Sequence, residues 1–430
     1  MKVELNNINK IRHASVELNS LTVIAGANDS GKSTVGKVLF STIKALINGL
    51  NDNEEQKKEI IKERVLSLTR RLRTLEKKKD KLGIQTILKY SQIAADLKRD
   101  TNLEAAIANM EEWINSLDIV PRQKTLALKD LNIIRTLIAQ GVGYSTRINA
   151  EFQSYIESEF LNNICSANTN GSSINYNSDK DFVNIKLLSN EITDVTCEIC
   201  SNSVLEDITY IESPLYIHVL DALLKTTTYS EIRKNANSIF SMLTPVVAPH
   251  IKDIATKLEY SSKYLQVNKV QKDLFNIESI TKGYFTYDQN SRSLVWKKDN
   301  QSFSPINVAS GIKSFGVIQL LLAANLINEN KMLIWDEPEN HLHPKWQIEF
   351  AHLLVNLAKA GIPVVVSSHS PYFIQGIRYF SRKEQIDKYV NYYLAEETED
   401  GLADINEVTD DLNRIFVKLA EPLNEIMNLE

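Results

Sequence analysis

Apolar and polar positions change rhythm several times along the chain, and each change predicts a different element. Val3-Glu4-Leu5 and Ala14-Ser15-Val16-Glu17-Leu18 alternate, as half-buried strands do, whereas Leu21-Thr22-Val23-Ile24 is a continuous run suited to a strand covered on both faces. A helix-like stretch follows from Thr34 to Leu50, and Asn51-Asp52-Asn53 breaks it. From Glu54 to about Phe160 the pattern is helical and largely polar. Within it Ile61, Val65, Leu68, Leu72, Leu75 and Leu82 hold a 4-3-4-3 seam, with Lys79 in the missing seam position. Helical pieces run through Leu97–Leu117 and Leu126–Ile138, divided by Pro121. An antiparallel helical hairpin or small bundle inserted into a larger domain is expected.

Beyond it, the Ser/Asn/Gly-rich stretch Ser166–Asp179 reads as a loop, and Phe182–Ile199 as paired strands turning near Ser189-Asn190. Tyr210-Ile211-Glu212-Ser213-Pro214-Leu215 is expected to open a helical stretch reaching about Leu265. Ser279–Trp296 reads as two strands around Asp288-Gln289-Asn290. Tyr389–Leu394 and Leu402–Val408 flank Asp400-Gly401, a hairpin signal. Leu412, Ile415, Phe416, Leu419, Leu423 and Ile426 then place a closing helix on the domain. The pattern predicts an α/β fold, with residues 1–50 and 166–430 as one head and 51–165 as a helical coiled-coil insertion.

Chemistry enters at the ends of the apolar runs. Gly26-Ala27-Asn28-Asp29-Ser30-Gly31-Lys32-Ser33 fits G-x-x-x-x-G-K-[ST] between a strand and a helix. Its backbone N–H groups and the helix start form a nest for polyphosphate oxygens, with Gly26, Asn28, Ser30, Gly31 and Thr34 in the loop or just behind it. Lys32 supplies a cation to the phosphates and Ser33 a hydroxyl for Mg²⁺. Met332-Leu333-Ile334-Trp335-Asp336-Glu337 is an apolar strand ending in two carboxylates. Asp336 is the candidate Mg²⁺ ligand and Glu337 the candidate general base, with Glu339 as its rival. Val364-Val365-Val366-Ser367-Ser368-His369 ends in a histidine placed to contact a terminal phosphate or its water. Ala309-Ser310-Gly311-Ile312-Lys313 opens another helix, where Ser310 and Gly311 make a second anion site. Since Lys32 already serves one nucleotide, that site is expected to reach across a dimer. Ser310, Asp336 and His369 are separated by 26 and 33 residues.

Two other clusters are weighed and set aside. Cys197-Glu198-Ile199-Cys200 lacks a second pair to complete a tetrahedral zinc site, and β-forming neighbours make both cysteines strand residues. His341 and His343 lack a third ligand of suitable spacing, and Pro344 starts a helix.

With these residues placed, the chain resembles the ABC-type ATPases allied to the structural-maintenance-of-chromosomes and RecF proteins, and within them the OLD-like branch. Gly26–Ser33 corresponds to Walker A, Ala309–Lys313 to the signature, Asp336-Glu337 to Walker B and His369 to the switch histidine. The segments from Asp336 to Pro344 and from Ser368 to Phe373 are particularly close to that branch. The signature departs from the transporter-type Leu-Ser-Gly-Gly-Gln, His343 stands where transporters place an aspartate, and no Q-loop glutamine is evident. The 61 residues after His369 are too few for the nuclease that OLD proteins carry. The resemblance therefore implies a P-loop ATPase using ATP and Mg²⁺, dimerising or forming a higher homo-oligomer through its heads. It is similar to the ATPase subunits of antiphage systems such as PARIS and Septu, where a separate effector, a nuclease or toxin, does the damage. The alternative is a RecF-like DNA-binding ATPase in repair or recombination. A transporter subunit is disfavoured by the 278 residues between Lys32 and Ser310.

Bulk properties narrow the partners. The net charge of −5 argues against wholesale binding of nucleic acid, yet residues 57–81 carry eleven basic and four acidic side chains, a net of +7. That stripe is either a solvated helix face or a contact for DNA or an acidic partner. Three cysteines, no signal-peptide pattern and no bilayer-length apolar run lead to an expected cytoplasmic location without membrane contact.

Overall fold

The structure is a computed structural model. It describes residues 1–51, 103–117, 119–167, 171–178, 181–199, 205–234, 244–267, 274–288, 291 and 293–427, with scattered positions between 57 and 72. It divides into two compact units, residues 1–47 with 152–430, and residues 48–151.

The larger unit opens with β1 (Lys2–Ile8), β2 (Ile11–Glu17) and β3 (Leu21–Gly26), followed by α1 (Lys32–Leu50). In the smaller unit come α2 (Leu103–Ser116), α3 (Pro121–Gln140) and the start of α4 (Tyr144–Phe160). The chain continues through β4 (Ser172–Asn177), β5 (Phe182–Leu188), β6 (Glu191–Glu198), β7 (Asp207–Ile211) and α5 (Pro249–Val267). A small antiparallel sheet of β8 (Tyr284–Asp288), β9 (Ser293–Lys298) and β10 (Gln301–Phe303) precedes α6 (Ser310–Ala323). The last elements are β11 (Lys331–Asp336), α7 (Pro344–Lys359), β12 (Val364–Ser368), α8 (Pro371–Lys383), β13 (Val390–Glu397), β14 (Ala403–Glu407) and α9 (Asn413–Met427).

Among the described residues, eleven strands form one mixed sheet in the order β6-β5-β4-β1-β2-β14-β13-β3-β12-β11-β7. The parallel block β13-β3-β12-β11-β7 positions the site. All six residues of β3 and all five of β12 are buried, as strands covered on both faces must be. The alternating strands lie on the antiparallel side, where β1 pairs with β2 and β4. One core joins Leu21, Val23, Leu333, Trp335, Val364 and Val366 of the parallel block to Phe315, Phe350, Phe373 and Ile377 of α6, α7 and α8.

Several expectations hold. The three opening strands, the β5–β6 hairpin with Ser189 and Asn190 both at positive φ, and the β13–β14 hairpin are all present. Ile415, Phe416 and Leu419 of α9 pack on the head core, with Leu412 just ahead of the helix. Others need correction. Part of the expected loop Ser166–Asp179 is strand β4. Its Ser/Asn composition signals a turn, yet Ile174 and Tyr176 alternate inward while β1 supplies the pairing. Tyr210 and Ile211 end strand β7 instead of opening a helix, because parallel pairing with β11 overrides local preference. Beyond it the expected helical stretch is present among the described residues as short helices, Pro214–His218, Leu220–Leu224 and Tyr229–Lys234, followed by α5. Ile277–Thr281 is helical, so the paired strands begin only at Tyr284.

The smaller unit has its own core. Ile61, Val65, Leu68 and Leu72 of the seam are buried with Met110, Trp113, Ile114, Leu131 and Ile134. Pro121 opens α3 at its first turn, where a missing N–H costs nothing. Leu75, Lys79 and Leu82 lie outside the described residues, as do most cations of the 57–81 stripe. Of the described ones, Arg71 is ion-paired with Asp130.

Candidate active site

The site grows from the carboxyl ends of β3, β12 and β11, adjacent parallel strands held in register. Ser368 pairs with Ala25 and Ser367 with Asp336, so the Gly26–Ser33 loop, His369 and the two carboxylates leave the sheet at one level. Gly31 turns the loop at φ +82°, and a Cβ there would stand 2.9 Å from the Ile11 side chain, so only glycine fits. Among the described residues, none accepts a hydrogen bond from the backbone N–H groups of Asn28, Asp29, Ser30 or Gly31. Unspent donors beside a helix N-terminus make an anion nest. Ser30 Oγ donates to the Ala27 carbonyl at 2.8 Å.

Lys32 is buried, with its Nζ folded onto the Ala27 carbonyl at 2.5 Å and 3.9 Å from Glu337 Oε1. Burial lowers its pKa, although Glu337, Asp336 and Glu339 all favour the charged form. A buried cation held by one carbonyl and a distant carboxylate is suited to an incoming anion.

Asp336 is fixed from two sides. Tyr210 donates to its Oδ2 at 2.9 Å, and Ser367 Oγ donates to Oδ1. Glu337 follows in the left-handed region at φ +47°, a sharp exit from the strand stabilised where its N–H donates to the Ser367 carbonyl at 3.0 Å. Its carboxylate accepts from His369 Nδ1 at 3.2 Å and Asn340 Nδ2 at 3.0 Å. The histidine hydrogen bond is the main cause holding the Glu337 pKa down at about 2. In return, that bond raises the pKa of His369.

Glu339 plays a different part. Its buried Oε1 accepts from Ser368 Oγ at 2.7 Å, the His369 N–H at 2.7 Å and the Ser370 N–H at 3.1 Å. It ties the end of β12 to the β11 loop. Burial raises its pKa.

Ser310 and Gly311 start α6 as expected, but among the described residues Ser310 Oγ meets only the His341 carbonyl, at 3.4 Å. A Cβ on Gly311 would stand 3.0 Å from Leu342 and 3.1 Å from Trp346. His343 caps α7, its Nδ1 accepting from the Lys345 N–H at 3.3 Å. Among the described residues no group of three or more His, Cys, Asp and Glu side chains is placed to hold a metal ion.

Sequence reading missed the neighbours supplied by β7. Trp335 pairs with Ile211, the last residue of β7, and Glu212 follows it directly as Asp336 follows Trp335. Glu212 is fastened by Tyr216 at 2.5 Å and lies 3.2 Å from His250 Nε2, while His250 Nδ1 meets Glu159 at 2.5 Å. Burial pushes its pKa up, but the hydrogen bonds from His250 and Tyr216 together with the nearby positive charge lower it to about 2. The separation in sequence between β7 and β11 concealed this pairing.

The AAA ATPase domain family model matches residues 1–374. The chain belongs to this family. A curated relative, an uncharacterised protein of Methanocaldococcus jannaschii, is 25% identical over 126 residues, covering 29% of this chain and 15% of that protein. The chain thus spans a small fraction of the curated relative it matches. Solved structures similar to this AAA ATPase domain chain include the SMC head domain from Thermotoga maritima, at 11% identity and TM-score 0.37, covering 95% of this chain and 98% of that one. Another is the Smc head domain with an extended coiled coil bound to the C-terminal domain of ScpA, derived from Pyrococcus furiosus. It is 8% identical at TM-score 0.40, covering 98% and 99% of the two chains. Among the described residues of the chain, no helix is long and apolar enough to cross a membrane.

Proposed function

We propose that this chain binds Mg–ATP and hydrolyses it. The observation carrying the reading is that Lys32, Asp336, Glu337 and His369 converge from three adjacent parallel strand ends beside a loop of unspent N–H donors. The donor set fits the ligand: a nest and a buried cation for phosphate, and beside them a hydroxyl and a carboxylate, Ser33 and Asp336, for a hard divalent cation. Asp336 has each oxygen engaged once, which leaves further acceptor capacity. When bound, Mg–ATP supplies the scissile phosphoanhydride and the charge that screens it. Glu337 orients water and accepts its proton, and His369 holds Glu337 in place. Lys32→Ala should abolish nucleotide binding. Glu337→Gln should retain it while cutting turnover by about 10²–10⁴-fold. Binding by equilibrium dialysis and phosphate release test both, and wild-type turnover in Glu337→Gln would overturn the assignment.

The finer proposal is that two heads close on ATP, each Ser310 completing the partner's site, and that the closed state controls a separate nuclease or toxin in antiphage defence. Its support is that Ser310 and Gly311 open α6 without a side-chain cap on its first turn, and the likeness of Asp336–Pro344 and Ser368–Phe373 to the OLD-like branch. Co-purification of the chain from its native cell with Glu337→Gln and ATP should retain an effector protein. Recovery of DNA alone would favour the repair-type alternative.

A further inference from the structure

Helix α8 begins two residues after His369 and carries an outer face that the ATP site does not use. Its inner face is spent on the core through Phe373, Ile374, Gly376 and Ile377. The fit against α7 is close, since a Cβ on Gly376 would stand 3.0 Å from Ala351. The outer face therefore stands on a rigid support.

That face is basic and aromatic. Tyr372, Gln375, Arg378, Tyr379, Arg382 and Lys383 fall within about 140° of arc at 100° per residue. Tyr372 and Tyr379 are each 59% exposed, and seven residues at 1.5 Å rise separate them by roughly 10 Å along one stripe. Arg378, Tyr379, Arg382 and Lys383 line one shallow groove with Gln375. Within α8 there is no acid, so its formal charge is +3 in a chain whose net charge is −5. The nearest acid in sequence, Glu384, is already paired with Lys359 at 2.8 Å. Arg378 and Arg382 make no ion pair among the described residues, and Arg378 Nε has no hydrogen-bond partner. A cationic groove without internal counterions attracts a polyanion, and the exposed phenol rings beside it select one with planar groups to stack. A duplex has its bases already stacked inside, whereas a single strand offers them.

We propose that the outer face of α8 binds single-stranded nucleic acid, with phosphates on Arg378, Arg382 and Lys383 and bases on Tyr372 and Tyr379. The site is distinct from the 57–81 stripe and independent of the effector reading.

Fluorescence anisotropy with labelled oligo-dT, a duplex of equal length and poly-glutamate as competitor tests it on the full chain. Arg378→Gln with Arg382→Gln and Lys383→Gln should weaken oligo-dT binding at least tenfold and reduce the log–log salt slope by about 2. Tyr372→Ala with Tyr379→Ala should weaken oligo-dT about tenfold and leave duplex affinity unchanged. Tyr372, Tyr379, Arg382 and Lys383 are exposed and Arg378 is half-buried, and unchanged thermal melting confirms that the variants are folded. The proposal is overturned if wild type does not bind oligo-dT, or if either variant binds it as wild type does, as it would were residues 57–81 the only contact. It is also overturned if the tyrosine variant loses duplex in parallel, or if poly-glutamate competes as well as oligo-dT.

Discussion

Tyr210 donates to Asp336 Oδ2 at 2.9 Å from the neighbouring parallel strand. The phenol is fully buried, and burial raises its pKa well above the usual tyrosine value, so it remains a donor at any ordinary pH. Tyr210→Phe removes the donor and leaves a buried carboxylate oxygen without it. The expected cost is about 1–3 kcal/mol in urea unfolding, accompanied by a shift in the Mg²⁺ concentration needed for ATP turnover. An unchanged Mg²⁺ dependence would show that the phenol is only part of the core.

Gly36 on α1 makes room for this tyrosine. A Cβ there would stand 2.5 Å from the Tyr210 ring and 3.2 Å from Ile334. Gly36→Ala gains helix propensity but overpacks a ring that cannot yield without leaving Asp336. A net loss of about 1–3 kcal/mol is expected, with the same Mg²⁺ phenotype as Tyr210→Phe. A more stable Gly36→Ala protein would contradict the crowding.

The His369–Glu337 pair predicts a pH dependence. His369 has a raised folded pKa, so its contribution is complete below its unfolded value near 6.5 and is lost as pH rises through the raised value. Glu337 is depressed to about 2, so its contribution is present above 4.5 and is lost only as pH falls towards 2. The pair is therefore strongest between pH 4.5 and 6.5. The stability gap between wild type and His369→Gln should be widest near pH 5.5 and close on the alkaline side, as measured by denaturant titration at several pH values. A gap that widens above pH 8 would reverse the assignment.

Glu339 offers a test separating scaffold from base. Glu339→Ala would leave Ser368 Oγ and the His369 N–H without their acceptor, an expected loss of about 2–5 kcal/mol. Glu339→Gln keeps an acceptor oxygen at Oε1 and should retain turnover within a few-fold. If Glu339→Gln abolished turnover in a folded protein while Glu337→Gln did not, the two glutamates would exchange roles.

The parts legible in the sequence were those whose signal is local. Strand, glycine loop and helix at 21–50 announce themselves through three different periodicities, and the runs ending at Asp336 and Ser368 are continuous because both faces are covered. Lys32, Asp336, Glu337 and His369 were each legible as motif residues at the ends of apolar runs, and the parallel pairing of β3, β12 and β11 brings them to one edge of the sheet. β7 was illegible because Asp207–Ile211 is only five residues long, and pairing with β11 makes it a strand. β4 was hidden for the opposite reason, since Ser and Asn mask its alternation. The Tyr210–Asp336 and Glu212–His250 contacts join residues far apart in sequence, to which composition is blind.

The smaller unit closes on itself where the chain enters and leaves it. Arg147 is buried and donates to the Gly49 carbonyl at 2.9 Å and the Val142 carbonyl at 2.7 Å, and a Cβ on Gly49 would collide with Ile148. Such a neck behaves like the base of a stem in a hairpin of RNA. Once it is stitched, lengthening what lies beyond adds only the slow logarithmic cost of a larger loop. Sequence between these two positions is free to be lengthened, shortened or exchanged during evolution while the neck stays the same. That makes the neck the natural splice point for grafting a different insertion.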